Sequence, residues 1–305
     1  MRTPLSRGVI VWLRQHRLDL ALVCPLFLYL LALTVAPILD TVRLSFTGSL
    51  DGRFPSLGNY RALLGSEVFE AALVNTIAVA LLSICLQLGL GMAIALTLHA
   101  NFRFRGLVRT VMLLPLGVPT IVAGAVMLLI FSRSGYLNAL LFALADALDL
   151  FGIRWHFAPL SWTAAGGWRT LATVAVADMW KVLPTVILIL LAGLQAIPRE
   201  VNEAADVDGA GPWHRFARVT LPLLLPYITM AVILRAIDAF RIFELALVLA
   251  GRVEPVLGTY IWSRYGPPTN DPFTAAAASI ALFVVILGFV VLYLRFAVGP
   301  REGSP

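Results

Sequence analysis

Between two long apolar runs, residues 171–197 and 221–250, lies the polar stretch Arg199-Glu200-Val201-Asn202-Glu203-Ala204-Ala205-Asp206-Val207-Asp208-Gly209-Ala210-Gly211-Pro212-Trp213-His214-Arg215-Phe216-Ala217-Arg218-Val219-Thr220. Each flanking run reaches the roughly 20 residues that cross about 30 Å of hydrocarbon at about 1.5 Å per residue. The stretch is therefore a loop outside the bilayer, and the runs are separate spans. Within it, Glu203 to Val207 are expected to open a short helix, with Asn202 as N-cap and acidic groups near the positive end of the helix dipole. Gly209 should break or bend that helix, since glycine weakens helix interiors and reaches backbone angles that other residues avoid. Pro212 suits the first turn of a second helix, with Trp213 and Phe216 as its apolar edge and Pro222 closing it. The expected product is a helix-turn-helix knob whose small residues Ala204, Ala205 and Ala210 are exposed and admit another backbone closely. Asp206-Val207-Asp208-Gly209 faintly resembles a calcium loop, but Ala217 stands where the bidentate glutamate would be required, so calcium is excluded.

The rest of the chain has the same character. Sixty per cent of its 305 residues are hydrophobic and 13% charged, with a mean hydropathy of +0.89, where a soluble domain would carry about a quarter charged residues. Further apolar runs near 20–39, 71–98, 107–131 and 273–296 complete six expected spans of an all-α membrane protein. The alternating ten-residue segments of a membrane β-barrel are absent. Leu20 to Leu39 exceeds the apolar core of a cleavable leader and reads as a retained first helix. With the N-terminus inside, twelve basic residues fall to inner segments and eight to outer ones, which places both termini and the Glu203 loop in the cytoplasm. The formal charge of +6 then follows from basic residues flanking spans, and nucleic acid is not implied.

The chain divides into a basic lead (1–17), a first span with its outer connector (18–70), a core (71–297) carrying the loop at 199–220, and a short tail (298–305). Residues 132–170 form the longest connector. Its apolar piece Leu137 to Phe151 is interrupted by Asp146 and Asp149 and reads as an interfacial helix, with Trp155, Trp162 and Trp168 as an aromatic belt. Cys24 and Cys85 sit far apart in apolar runs and read as buried small hydrophobes.

Two constellations could carry solute chemistry. Arg235, Asp238, Arg241 and Glu244 recur every three residues in the fifth run, which on one helix makes neighbouring positions of alternating sign. Charges in a span cost at least about 2.5 kcal/mol each if they face lipid, so these must face protein or a wet cavity. They read either as a polar wall of a transport pathway or as an ion-pair ladder, with Asp238 and Arg241 the best pathway candidates. In the fourth run, Asp178, Trp180 and Lys181 precede Pro184, and the alternatives are a sugar-stacking site or an Asp178–Lys181 pair beside a packing tryptophan. Asn75 and Gln87 read as interhelical glue. Lys181, the one lysine, lacks the glycine pattern and the following Ser/Thr of a phosphate-binding loop, and no metalloprotease, nucleophile-elbow or Cys-His pattern appears. Catalysis is not indicated.

The order Glu203-Ala204-Ala205, Gly209-Ala210, Phe216, Val219, Leu221-Pro222 and Pro226 resembles the coupling loop of bacterial ATP-binding-cassette importer permeases. Ser45-Phe46, Gly58-Asn59-Tyr60, Asn75-Thr76, Leu114-Pro115 with Pro119, Ala192-Gly193-Leu194-Gln195-Ala196-Ile197-Pro198 and Asp238-Ala239-Phe240-Arg241-Ile242-Phe243 extend the likeness to the carbohydrate-uptake permeases, maltose and trehalose type, over about residues 18–297. The departures are Val219, where isoleucine is commoner, and Thr185 after Pro184, where phenylalanine often stands. The resemblance implies a six-helix type I (MetI-like) permease of the bacterial inner membrane, without an ATPase site or cofactor of its own. It implies as partners a second permease, two copies of an ATPase that uses ATP and Mg, an external sugar-binding protein and membrane lipid. On that reading Glu203, Ala204, Ala205, Asp206, Asp208, Gly209, Ala210 and Phe216 dock the ATPase. Asp178, Trp180, Arg235, Asp238, Arg241 and Glu244 then line the path of the sugar, best matched by an α-linked disaccharide such as trehalose or maltose. The alternatives are a glycerol phosphate ester or another oligosaccharide on the same machinery, and an ion-coupled secondary transporter.

Overall fold

The computed structural model describes residues 16–49, 52–100, 102–152, 158–251 and 253–297. Every regular element among them is helical. α1 (Arg17–Ser45) contains a π turn at Leu31–Val35 and leads through a connector to α2 (Gly58–Leu64) and α3 (Glu67–His99). α4 (Arg105–Gly117) and α5 (Thr120–Phe131) are separated by Val118 and Pro119, and α6 (Tyr136–Asp149) follows. α7 (Gly167–Ala196) enters the polar loop, which holds α8 (Arg199–Val207). α9 (Pro212–Phe240), α10 (Glu244–Leu249), α11 (Leu257–Tyr265) and α12 (Pro272–Ala297) complete the chain.

Six stretches among the described residues are long and apolar enough to cross a membrane. For the third, composition selects Thr120–Asp149, but the chain turns at Ser132–Gly135 and the packing selects another path. α4 lies along one half of α7, with Val108 and Met112 against Ile187, Leu190 and Leu191, and α5 lies along the other half, with Ala123 and Met127 against Val174 and Ala177. The 107–131 run is thus one span in two helices. Pro119 causes the break, since it has no N–H to offer the carbonyl of Pro115 four residues back. α6 stays at the far end from the polar loop, where Asn138 donates to the carbonyls of Arg133 and Leu160 and accepts from Trp162 Nε1. Trp168 is exposed nearby, and Trp155 lies outside the described residues.

The bundle packs around α7, which runs parallel to α3 and antiparallel to α9. Two apolar cores stack along it. One, toward the polar loop, joins Ala95, Leu98, Leu190, Leu194 and Leu224; the other, toward the far end, joins Val79, Ala123, Val174, Leu245 and Leu249. Small residues set the spacing, as expected where lipid removes the hydrophobic drive between helices and close packing must replace it. A Cβ on Gly193 would lie 2.5 Å from the Tyr227 ring and 2.7 Å from Leu224 of α9. Gly193→Ala is therefore expected to push α9 from α7 and destabilise the purified protein by about 1–3 kcal/mol, read as a lower thermal midpoint. At the far end the motif pieces meet: Asn59 donates to the carbonyls of Ser45 (3.0 Å) and Thr47 (2.8 Å), Tyr60 bonds Ser45, and Thr76 accepts from the N–H of Leu257 at 2.7 Å.

Three expectations fail here. The fifth span ends at Phe240 rather than near 250, because Ile242 leaves the helix to bury itself in the far-end core. Cys24 and Cys85 are exposed on the chain's apolar surface, not buried. The third span is broken rather than continuous, as Pro119 dictates.

Candidate functional site: a polar elbow and a charged cavity

The polar loop folds into an elbow. α8 begins at Arg199, four residues earlier than the Glu203 start that Asn202 would set as N-cap, with Pro198 as the capping residue. It ends in a glycine stop. Gly209 has φ +71°, its N–H bonds the carbonyl of Asp206, and the N–H of Ala210 bonds that of Ala205. These two bonds make a Schellman cap, which consumes carbonyls that the helix end would otherwise leave unpaired. Pro212 opens α9 as expected. Pro222 does not close a second helix. Phe216–Thr220 widen into a π turn, with the N–H of Leu221 bonded to Phe216, and this accommodates the missing proline donor so that the helix runs on to Phe240.

An ion pair from Arg215 Nη1 to Asp206 Oδ1, 2.5 Å, ties the two arms of the elbow. Glu203, Ala204, Asp208 and Gly209 are exposed and Ala210 is half-buried. Ala205 is a correction, being 7% exposed because it faces the second arm of the elbow rather than outward. A cavity of about 390 Å³ opens there, lined by Ala205, Asp208, Gly209, Ala210, His214 and Arg218. Beside it a larger hollow of about 770 Å³ has walls of Leu96, Leu194, Ile197 and Phe216, with Trp213 standing 78% exposed and its ring 5.9 Å from that of Phe216.

Halfway along α7, at the seam between the two cores, sits a buried polar cluster. Arg235 is 2% exposed and donates from Nε to Gln87 (2.6 Å), from Nη2 to Asp178 (2.8 Å) and from Nη1 to Asp238 (3.4 Å). The same Asp178 oxygen accepts from Ser83 and, at 3.3 Å, from Gln87. The cluster bolts α3, α7 and α9 together. Asp178 therefore pairs with Arg235, not with Lys181. The ammonium of Lys181 instead donates to the carbonyls of Pro115 (2.9 Å) and Leu116 (3.3 Å), replacing the donor that Pro119 lacks at the negative end of α4.

On one side this cluster borders a cavity of about 350 Å³ lined by Asp178, Lys181, Arg235, Asp238, Arg241 and Glu244. The four-residue ladder does not exist as one helix face. Arg241 caps α9 and Glu244 opens α10, so only Arg235 and Asp238 share a helix. The break nevertheless turns Arg241 and Glu244 toward the same hollow, where neither side chain has an ion pair among the described residues. Asp238 is 66% exposed in its side chain. Trp180 is not part of this wall; it packs against the far-end core. The six ionisable groups are three cations and three anions, and a cavity so balanced can hold a polar solute without an excess of either charge.

Glu254, Ser83 and the clasp of Lys181 lay beyond sequence reasoning. Glu254 accepts from Asn75 (3.0 Å) and from the N–H of Gly167 at the start of α7, pinning the loop before α11 to α3 and α7. The i, i+4 spacing of Ser83 and Gln87 puts them on one face and was the available signal for the cluster, but the partners come from helices distant in sequence.

The family model described as "Binding-protein-dependent transport system inner membrane component" matches residues 87–303. The trehalose/maltose transport system permease protein MalF of Thermococcus litoralis is 32% identical over 291 residues, 92% of this chain and 94% of that protein. The trehalose transport system permease protein SugA of Mycobacterium tuberculosis is 35% identical over 243 residues, 78% of this chain and 74% of its own length. Among solved structures, a bacterial ABC transporter involved in the import of the acidic polysaccharide alginate superposes with a TM-score of 0.79 over 97% of this chain and 100% of that one, at 22% identity, a likeness of fold.

Proposed function

The chain belongs to the family of binding-protein-dependent transport system inner membrane components, and on that footing we propose that it is one of two permease subunits of an ATP-binding-cassette importer for a sugar. The observation that supports this best is the pairing of an exterior elbow, stiffened by its Schellman cap and the Asp206–Arg215 bridge, with a charge-balanced cavity in the same bundle. The chain is a multi-pass inner-membrane transport component rather than an enzyme.

In this reading the elbow and both termini are cytoplasmic. Glu203, Ala204, Asp208, Gly209 and Ala210 meet a separate ATPase, present in two copies and using ATP and Mg, while Asp206, Ala205 and Phe216 hold the elbow in shape for it. α9 carries the motion inward, because it is continuous from the elbow to Asp238 at the cavity. Asp238, Arg241, Glu244 and Lys181 form this chain's half of the solute path, and Asp178 and Arg235 support it from the buried side. The second permease supplies the other half, and an external binding protein delivers an α-linked disaccharide such as trehalose or maltose, by analogy with the named substrates of the two relatives.

The purified chain alone is expected not to hydrolyse ATP. Combined in vesicles with its second permease, ATPase and external binding protein, it should support saccharide uptake that stops when ATP is depleted. Uptake by the chain alone, driven by an ion gradient and surviving ATP depletion, would replace this reading with a secondary transporter. Arg241→Gln is expected to lower uptake about tenfold or more while the assembly still forms on size exclusion, since an exposed cavity charge contributes little to folding. Loss of assembly in that variant would make Arg241 structural. Screening the binding protein encoded beside this chain against a saccharide panel by thermal shift would identify the solute.

A further inference from the structure

At the end opposite the elbow, a further cavity of about 380 Å³ lies beside α10 and α11. Its size falls within the range of small-ligand sites, about 300–1,000 Å³. None of the described residues lining it is charged, in contrast with the inner cavity. Trp262 is 56% exposed at its wall, joined by Ser263 and Thr269 and rimmed by Pro267 and Pro268.

The two hollows share one partition. Leu247 of α10 faces the outer cavity, while Glu244 and Leu245, from the start of the same short helix, face the inner one. An aromatic pair continues the wall, since the ring of Phe243, which lines the inner cavity, lies 5.8 Å from that of Trp262, which lines the outer. The wall is held in place rather than loose. Gly258 brings α11 so near the carbonyl of Ile242 that a Cβ there would sit at 2.6 Å, and Glu254 pins the intervening loop to α3 and α7.

We propose that the outer cavity is a saccharide subsite, in which a neutral sugar rests on Trp262 before passing the Phe243–Trp262 pair into the charged cavity. The chemistry fits that class. An indole face takes the apolar C–H face of a pyranose, and neutral hydroxyls meet its rim, whereas a charged ester would lose water with no counter-charge in the described lining. The subsite rests on the transport reading given above.

The test uses the whole assembly of both permeases and ATPase in nanodiscs, without binding protein, carrying Thr269→Cys in a Cys24→Ser, Cys85→Ser background. Trehalose, maltose and sucrose serve as probes, with glucose 6-phosphate as the charged control. At least one neutral disaccharide should slow modification of the introduced thiol by a membrane-impermeant maleimide by about fivefold or more, and glucose 6-phosphate should not. Trp262→Ala should weaken that protection by about tenfold, and Trp262→Phe should restore it, the loss and return of one stacking face. An absence of protection by a disaccharide that the assembly imports with ATP, when reconstituted in sealed vesicles with its binding protein, overturns the subsite and leaves the transport reading standing. Protection by sugar-free binding protein alone, with none from sugar, makes the cavity a protein-docking pocket and also overturns it. Failure of ATP-driven import of every saccharide would bring down the transport reading, and the subsite with it.

Discussion

Gly209→Pro is expected to abolish ATP-coupled uptake and the stimulation of the ATPase, while the chain still inserts and folds as a bundle. Two features of the elbow dictate this. The native φ of +71° is closed to proline, whose ring fixes φ near −65°, and the Gly209 N–H that bonds Asp206 would be gone. With the Schellman cap dissolved, α8 would fray at the end that carries Asp206, and the bridge to Arg215 would lose its geometry. No atom lies within 4 Å of where a Cβ on Gly209 would stand, so smaller substitutions meet only the backbone penalty. Gly209→Ala should cost about 1–2 kcal/mol of local stability and reduce coupling partially, and Gly209→Asn, which tolerates left-handed angles, should retain more activity than alanine. Uptake by vesicles, ATP hydrolysis and pull-down of the ATPase would be measured in parallel. Wild-type uptake by the proline variant would remove the elbow from the transmission path.

The second large effect belongs to Arg235. Arg235→Met leaves the Asp178 carboxylate buried against Ser83 and Gln87 with its cation removed, a change that costs about 3–5 kcal/mol where a buried pair is broken from one side. The expected results are low yield, a lowered thermal midpoint and failure to join the second permease. Arg235→Met combined with Asp178→Asn removes both charges and should recover much of the stability, since an uncharged pair leaves no orphan ion. Transport should remain impaired in the double variant, because Asp238 would lose its contact with the guanidinium. If Arg235→Met were as stable as the parent and the double variant no better, the cluster would not be what binds α3, α7 and α9.

These two sites differ in how far the sequence alone revealed them. The elbow is local: Gly209, Pro212 and the acidic run lie within a dozen residues, and their backbone preferences are properties of each residue type. Even there, the π turn at Phe216–Thr220 escaped, because Pro222 is compatible both with ending a helix and with a widened turn before it. The six spans were legible from length and apolarity, and the break at Pro119 could have been read from the missing donor. The break after Phe240 could not. No proline or glycine marks it, and it arises because Ile242 is drawn into the core while Gly258 of a later helix closes on its carbonyl. For the same reason the regular spacing of Arg235, Asp238, Arg241 and Glu244 looked like one helical face, although the chain turns in the middle of it. The partnership of Asp178 with Arg235 is invisible to spacing, since 57 residues separate them and Lys181 stands three positions away from Asp178.

The clasp between Lys181 and the interrupted third span has a spectroscopic consequence. The chain has a single ε-ammonium, so feeding cells lysine enriched in nitrogen-15 at Nζ alone, and assembling the product with unlabelled partners, would place one reporter nucleus directly on the joint between α4 and α5. Its resonance would register each time the amine trades carbonyl oxygens for water. Stepping the assembly through its nucleotide states while watching that lone signal would time the flexing of the span without altering a residue.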